Sequence, residues 1–173
     1  MNSEQGSNQS ANAVIEHLID KYSSNILKMC YVYLKDIGLA EDAMQETFIK
    51  AYRKIAAYKG TSEQSEKAWL MSIAINTCKD VLRGSWFRHV NRKVQLDDLQ
   101  EPSWKHEEDD GMLVEAIMQL PRKEREVILL YYYQDMKVDE IASVIGIASP
   151  TVYARLKKAK DRLSTILERW CEA

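Results

Sequence analysis

The chain has 173 residues, with 24 Lys and Arg against 26 Asp and Glu and only six Gly and three Pro. That length suits one ordinary domain or two small helical ones and leaves little room for a large enzyme cleft, while the scarcity of turn formers favours an all-α fold over strands. The formal net charge of −2 rules out a uniformly basic nucleic-acid binder, so any cationic surface must be local.

No segment approaches the roughly 20 consecutive apolar residues of a membrane helix, which predicts no direct membrane insertion. The polar residues 1–12 lack the basic-then-apolar order of a signal peptide; they are expected to form a disordered tail on a cytoplasmic protein. Cys30, Cys78 and Cys171 stand far from any paired spacing, and His17, His89 and His106 have no ligand partners at recognisable distance. Buried thiols are expected at Cys30 and Cys78, with no metal and no cofactor.

From Ala13 to Tyr33, apolar residues recur at Ile15, Leu18, Ile19, Tyr22, Ile26, Met29, Cys30 and Tyr33, the period of one long amphipathic helix that Gly38 is expected to stop. A second helix is predicted over Leu39–Tyr58. It sets Ala40, Met44, Thr47, Phe48, Ala51 and Ile55 on one face and Asp42, Gln45, Glu46 and Arg53 on another, with Ile49 alone among the polar residues. Acids around one exposed apolar residue suit a partner that supplies Arg or Lys. Solvation alone also accounts for such a face.

A polar loop is predicted at Lys59–Ser65 and a third helix from Glu66 to Arg83. Ser72, Asn76, Lys79 and Arg83 fall in one polar stripe of that helix, opposite Leu70, Ile73, Thr77 and Val81. An amide reads base edges, cations hold a strand, and Tyr58 with Lys59 before the helix offers a stacking ring beside a charge. Trp69 is expected in the core, beside Ile73. Trp86 and Phe87, among Arg88, His89, Arg92 and Lys93, fit single-strand contact and a packed domain end equally well.

Residues 96–111 have no helical period and carry seven acids against Lys105, which predicts a flexible acidic linker and leaves the rest of the chain net positive. Beyond it, Leu113, Ala116, Ile117 and Leu120 predict a short helix closed by Pro121, followed by a helix over Arg122–Gln134. The apolar run Val127–Tyr133 has strand propensity too, although Arg122–Glu126 leads into it with helix formers.

Val138–Ile145, Gly146 and a helix opening at Ser149 and Pro150 have the form of a helix-turn-helix, with Ser149 expected as the cap. Val152, Leu156, Ala159 and Leu163 must face the core. That leaves Thr151, Tyr153, Ala154, Arg155, Lys158 and Arg162 pointing outward, where Arg155 is the best reader of guanine and Lys157, Lys158 and Lys160 suit phosphates. A solvated basic helix would show the same composition.

The stretches Ala40–Tyr52 (AEDAMQETFIKAY), Trp69–Arg83 (WLMSIAINTCKDVLR) and Leu120–Leu163, beginning LPRKEREVILLYYY, together resemble the bacterial extracytoplasmic-function sigma factors over most of residues 13–165. The resemblance implies two small helical domains: region 2 at 13–95, joined through the linker 96–111 to region 4 at 112–173. It implies core RNA polymerase and promoter DNA as partners, a membrane-linked anti-sigma factor, a role in stress response, and no catalysis or small-molecule substrate. By resemblance, Asp42, Gln45, Glu46 and Ile49 grip the polymerase. Tyr58, Lys59, Ser72, Asn76, Lys79 and Arg83 read and help to melt the −10 element, and Ser149, Thr151, Tyr153, Arg155, Lys157 and Lys158 bind the −35 element. The linker either mimics RNA in a polymerase channel or serves solubility. Lys137, Ala148, Pro150 and Tyr153 depart from the family pattern, and Tyr153 alters the surface offered to the groove. A conventional helix-turn-helix regulator with an N-terminal sensing or dimerisation domain is the alternative from another class.

Overall fold

The computed structural model describes residues 2–60, 62–89 and 111–172, with side chains described at 11–60, 62–84 and 111–172. Among the described residues every regular element is helical: α1 (Asn2–Leu34), α2 (Ile37–Lys54) and α3 (Glu63–His89) form one unit, and α4 (Gly111–Gln119), α5 (Arg122–Ile128), α6 (Val138–Ile145) and α7 (Ser149–Cys171) the other. The segment 96–110 lies outside the described residues, and Gly111 opens α4.

In place of the tail expected at 1–12, the helix α1 begins at Asn2. Nor does Gly38 stop α1. Lys35 takes the left-handed conformation (φ 63°), and the Asp36 carboxylate then accepts the Leu39 N–H at 2.8 Å, so Gly38 lies in the first turn of α2.

Leu18, Tyr22, Ile26, Met29 and Tyr33 of α1 are buried against Ala40, Ala43, Phe48 and Ala51 of α2 and Leu70, Met71, Ala74 and Ile75 of α3. The alanines let α1 and α2 approach closely, and each large side chain here contributes roughly 1.5–3 kcal/mol by leaving water. Ile19, expected in this core, is half exposed on the outer edge of the stripe. The Cys78 thiol donates to Cys30 sulfur at 3.5 Å inside the core, where that contact and burial push its pKa up and keep it protonated.

The start of α3 lies nearer Gly60 than predicted, because Ser62 and Ser65 cap it reciprocally. Each hydroxyl accepts the other residue's N–H at 3.2 Å, the geometry of a capping box with Ser in the third position. In the second unit, Val114, Ile117 and Leu120 pack with Val127, Leu129, Leu130, Ile141, Val152, Leu156, Ala159 and Ile166. Val114 takes the buried place expected of Leu113. The run Val127–Tyr133 is helical, but it widens from α5 into a π-helical turn over Leu129–Tyr133. That turn ends with Asp135 in the left-handed conformation.

Candidate nucleic-acid and polymerase interfaces

The helix-turn-helix is built as the sequence demands. Gly146 adopts φ 72°, and the N–H groups of Gly146 and Ile147 both reach the Ala142 carbonyl, at 2.9 and 3.1 Å, which turns the chain sharply between α6 and α7. Glu140 caps α6 by accepting the Lys137 N–H at 2.8 Å. The predicted cap of α7 is corrected: Ala148 is the capping position and Ser149 the first helical residue, with Pro150 beside it. The Ser149 hydroxyl instead donates to Asp139 at 2.6 Å, which ties α7 back to α6. Ala148 is extended and Pro150 suits the first helical turn, where its missing N–H costs no helical bond, so the backbone enters α7 without a side-chain cap.

Val152, Leu156 and Ala159 are buried as their spacing demands, and Leu163 is partly so. On the opposite face Thr151, Tyr153, Ala154, Lys157 and Lys158 are exposed, Tyr153 at 63%. Arg155 is half-buried at the edge of this face. Lys160 is turned away from the phosphate role: its ammonium lies 5.9 and 5.6 Å from the centres of the Tyr131 and Tyr132 rings, and its hydrogen bond to Tyr132 raises its pKa. Arg162, exposed as expected, is paired with the nearly buried Glu124 carboxylate at 2.9 Å.

On α2, Asp42 and Gln45 are exposed, Glu46 is half-buried and Ile49 is 45% exposed. Tyr52, one turn beyond Ile49, is 41% exposed and enlarges the apolar spot within this acidic face. Sequence reasoning missed it; its position three residues after Ile49, on the same side of the helix, was the available signal.

The stripe on α3 is brought together but differently engaged. Asn76 is exposed and open, whereas the Ser72 hydroxyl donates to its own helix at the Trp69 carbonyl, 2.7 Å. Arg83 pairs with Asp80 at 3.0 Å. Lys79 lies 2.7 Å from the carboxylate of Glu126, which is only 4% exposed and belongs to α5 in the other unit. Sequence reasoning missed Glu126, because an acid in a run of charges reads as solvated.

Before α3, Tyr58 stacks on Trp69 with ring centres 4.5 Å apart and 28° between planes, while Lys59 is exposed. Gly60 packs so closely on the Tyr58 ring that a Cβ would collide with it, which explains glycine here. Trp69 is thus half core and half wall of a cleft. Gln64, Ser65, Trp69 and Ser72 line one side of that cleft and Asp139 and Glu140 of α6 the other. Of the residues around Trp86 and Phe87, only the helical backbone to His89 is described, and Arg92 and Lys93 lie outside the described residues, as does His106. No group of His, Cys, Asp and Glu suited to a metal occurs among the described residues.

Two helical units, one with a helix-turn-helix and the other with a polar helix behind the stacked Tyr58 and Trp69 rings, have the form of a DNA-binding protein. Two family models match in this order: Sigma-70 region 2 over residues 18–99 and Sigma-70, region 4 over 110–163. Similar proteins include the ECF RNA polymerase sigma factor SigM of Bacillus subtilis, 27% identical over 90% of this chain and 96% of its own length. The RNA polymerase sigma-H factor of Pseudomonas aeruginosa is 28% identical over 87% of this chain and 84% of its own, and ECF sigma factor SigL of Mycobacterium tuberculosis 29% over 90% of both. The fold matches the sigma factor RpoE of Bartonella quintana in complex with the anti-sigma factor NepR, with TM-score 0.75, 21% identity, and 88% of this chain and 96% of that one covered. CnrH in complex with the cytosolic domain of CnrY matches with TM-score 0.66 and 19% identity over 93% and 94%. The chain belongs to the sigma-70 family of RNA polymerase sigma factors, in its extracytoplasmic-function group. It engages core RNA polymerase and directs promoter-specific transcription initiation, and the regulator alternative is not favoured.

Proposed function

We propose that the work is divided among three faces: the Asp42, Gln45, Glu46 and Ile49 face of α2, extended by Tyr52, grips the polymerase; α3 and its preceding loop serve the −10 element; α7 serves the −35 element. The observation that carries this division is the separation of an acidic face with exposed apolar residues from two polar or basic helix faces on different units. The domains are assigned as region 2 at 13–95, a linker at 96–111 and region 4 at 112–173. The chain acts by binding rather than catalysis, in the cytoplasm; no helix among the described residues is long and apolar enough to cross a membrane.

At the −10 element, Asn76 reads a base edge, Lys79 and Arg83 hold the strand, Ser72 lies beside them, and Tyr58 with Lys59 flanks the loop that receives an unstacked base. At the −35 element, Arg155 reads a base edge, Thr151 and Tyr153 contact the groove, and Ser149, Lys157 and Lys158 lie along the backbone. An anti-sigma factor is proposed as regulator, supported by the two structural relatives held in such complexes. Run-off transcription with purified core polymerase, followed by mapping of start sites, tests the whole reading: this chain should redirect initiation to promoters that core alone ignores. Initiation unchanged by its addition would reject it.

A further inference from the structure

Two of the three cysteines meet inside the core of the first helical unit. The Cys78 thiol of α3 donates to the Cys30 sulfur of α1 at 3.5 Å, across 48 positions of sequence, and both side chains are fully buried. Within one helical turn of them lie Ile26 and Met29 of α1 and Ala74 and Ile75 of α3, all equally shut off from solvent. Cys171, at the end of α7, is exposed.

Apolar packing accounts for a buried thiol. It does not require two thiols to face each other from different helices, and that juxtaposition has a chemistry of its own. Sulfurs already in contact need to close by only about 1.5 Å to reach the roughly 2.05 Å of a disulfide. Two sulfurs are an incomplete donor set for a structural metal, and no group of three or more His, Cys, Asp and Glu suited to one occurs among the described residues. The hydrogen bond runs from Cys78 to Cys30, which leaves Cys30 as the attacking sulfur and Cys78 as the resolving thiol; that contact and burial hold Cys78 protonated.

We propose that Cys30 and Cys78 are a dithiol oxidised by hydrogen peroxide, and that the disulfide ties α3 to α1. In the first step the Cys30 sulfur attacks one peroxide oxygen, the O–O bond breaks, Cys30 becomes a sulfenic acid, and its thiol proton leaves with the departing hydroxide as water. In the second, the Cys78 sulfur attacks that of Cys30, the S–O bond breaks, and the hydroxyl leaves with the Cys78 proton as a second water. The dithiol loses two electrons and two protons, and one peroxide is reduced to two waters. Peroxide is scarcely larger than water and enters through local openings of the core, so the reaction is slow beside that of an exposed thiolate.

The bond forms on the helix that carries Asn76 and Lys79, two residues before Cys78 and one after it. Drawing Cys78 towards α1 displaces both from the strand they serve at the −10 element. That consequence rests on the reading above, whereas the disulfide itself does not.

The full chain carrying Cys171→Ser, in which no exposed thiol competes, is treated with hydrogen peroxide without denaturant. Its mass should fall by about 2 Da as two thiol hydrogens are lost, proteolysis should release the Cys30 and Cys78 peptides joined, and dithiothreitol should separate them. Cys30→Ala and Cys78→Ala should each abolish the link. Oxygen added without a link, thiols that stay free, or a link that forms only in unfolding urea would each overturn the proposal. In run-off transcription the linked chain should lose output at least about fivefold, the smallest loss expected when one base contact is broken, and regain it on reduction. Cys30→Ala, treated alike, should not respond. Output unmoved by the link would overturn the coupling to α3. A reduced chain that fails to redirect core polymerase would reject the sigma reading, and the mass measurement would still decide the disulfide.

Discussion

The helices α3 and α7 carry the same kinds of residue in different states of readiness. On α7, Thr151, Tyr153, Lys157 and Lys158 face solvent with nothing across them, while on α3 Lys79 is held by Glu126 and Arg83 by Asp80. For Lys79 the difference lies outside its own helix, in Glu126 of α5, whereas Asp80 is three residues from Arg83 on α3 itself. α7 is the second helix of a motif whose packing side is fixed by Val152, Leu156 and Ala159, so its reading face is left over by construction. The polar side of α3 is available only as far as region 4 leaves it so. One reader is therefore open, while on the other Lys79 is engaged by Glu126 and Asn76 stays exposed.

The comparison is broken most strongly from outside both helices. Asp42→Lys reverses charge on the polymerase face and should weaken holoenzyme formation in a pull-down by about 100-fold, since misplaced charge at such a contact costs several kcal/mol. Binding of free DNA through α7 should be unaffected. Retention of normal holoenzyme formation would remove α2 from the polymerase interface.

The next effect separates the two readers in the assembled enzyme. Arg155→Ala should cost about 1–3 kcal/mol of discrimination at one or two −35 base pairs and leave −10 preferences alone, whereas Asn76→Ala should do the opposite. Competition transcription on promoters randomised at either element measures both. Equal loss at both elements would mean that the helices do not divide the task.

The smallest effects concern how each helix begins. Ser62→Ala removes a reciprocal cap and should lower stability by about 1 kcal/mol in urea unfolding. Ser149→Ala, at the first helical position of α7, should lower it by less than about 0.5 kcal/mol, because only the hydrogen bond to Asp139 is lost. Equal losses would restore Ser149 to the capping role that its residue type suggests.

That reversal of Ser62 and Ser149 shows where sequence reasoning runs out. Ser149-Pro150 has the composition of a helix start, yet the cap position fell one residue earlier, on Ala148, whose extended backbone sets the entry while Pro150 suits the first helical turn. The Ser62–Ser65 pair has the composition of a loop, because Gly60, Thr61 and Ser62 cluster there, and reciprocal capping is a property of geometry rather than composition. Gly38 misled in the same way, since a lysine took the left-handed conformation before it.

The sequence by itself determined the helical class, the stripes that build both cores, the sharp turn at Gly146 and the family motifs in their order. These are short-range properties, governed by side-chain periodicity and by the freedom of glycine and proline, and they are legible wherever one face of a helix must be buried. Only the tertiary structure decided which polar residues remain free. Glu126 and Lys79 lie 47 positions apart in sequence and have no periodic relation, so their pairing depends on how two separately folded units meet. Charge and hydrogen bonding across such a contact follow from its three-dimensional register, and that register sets Lys79 of α3 against Glu126 while Asn76 stays exposed.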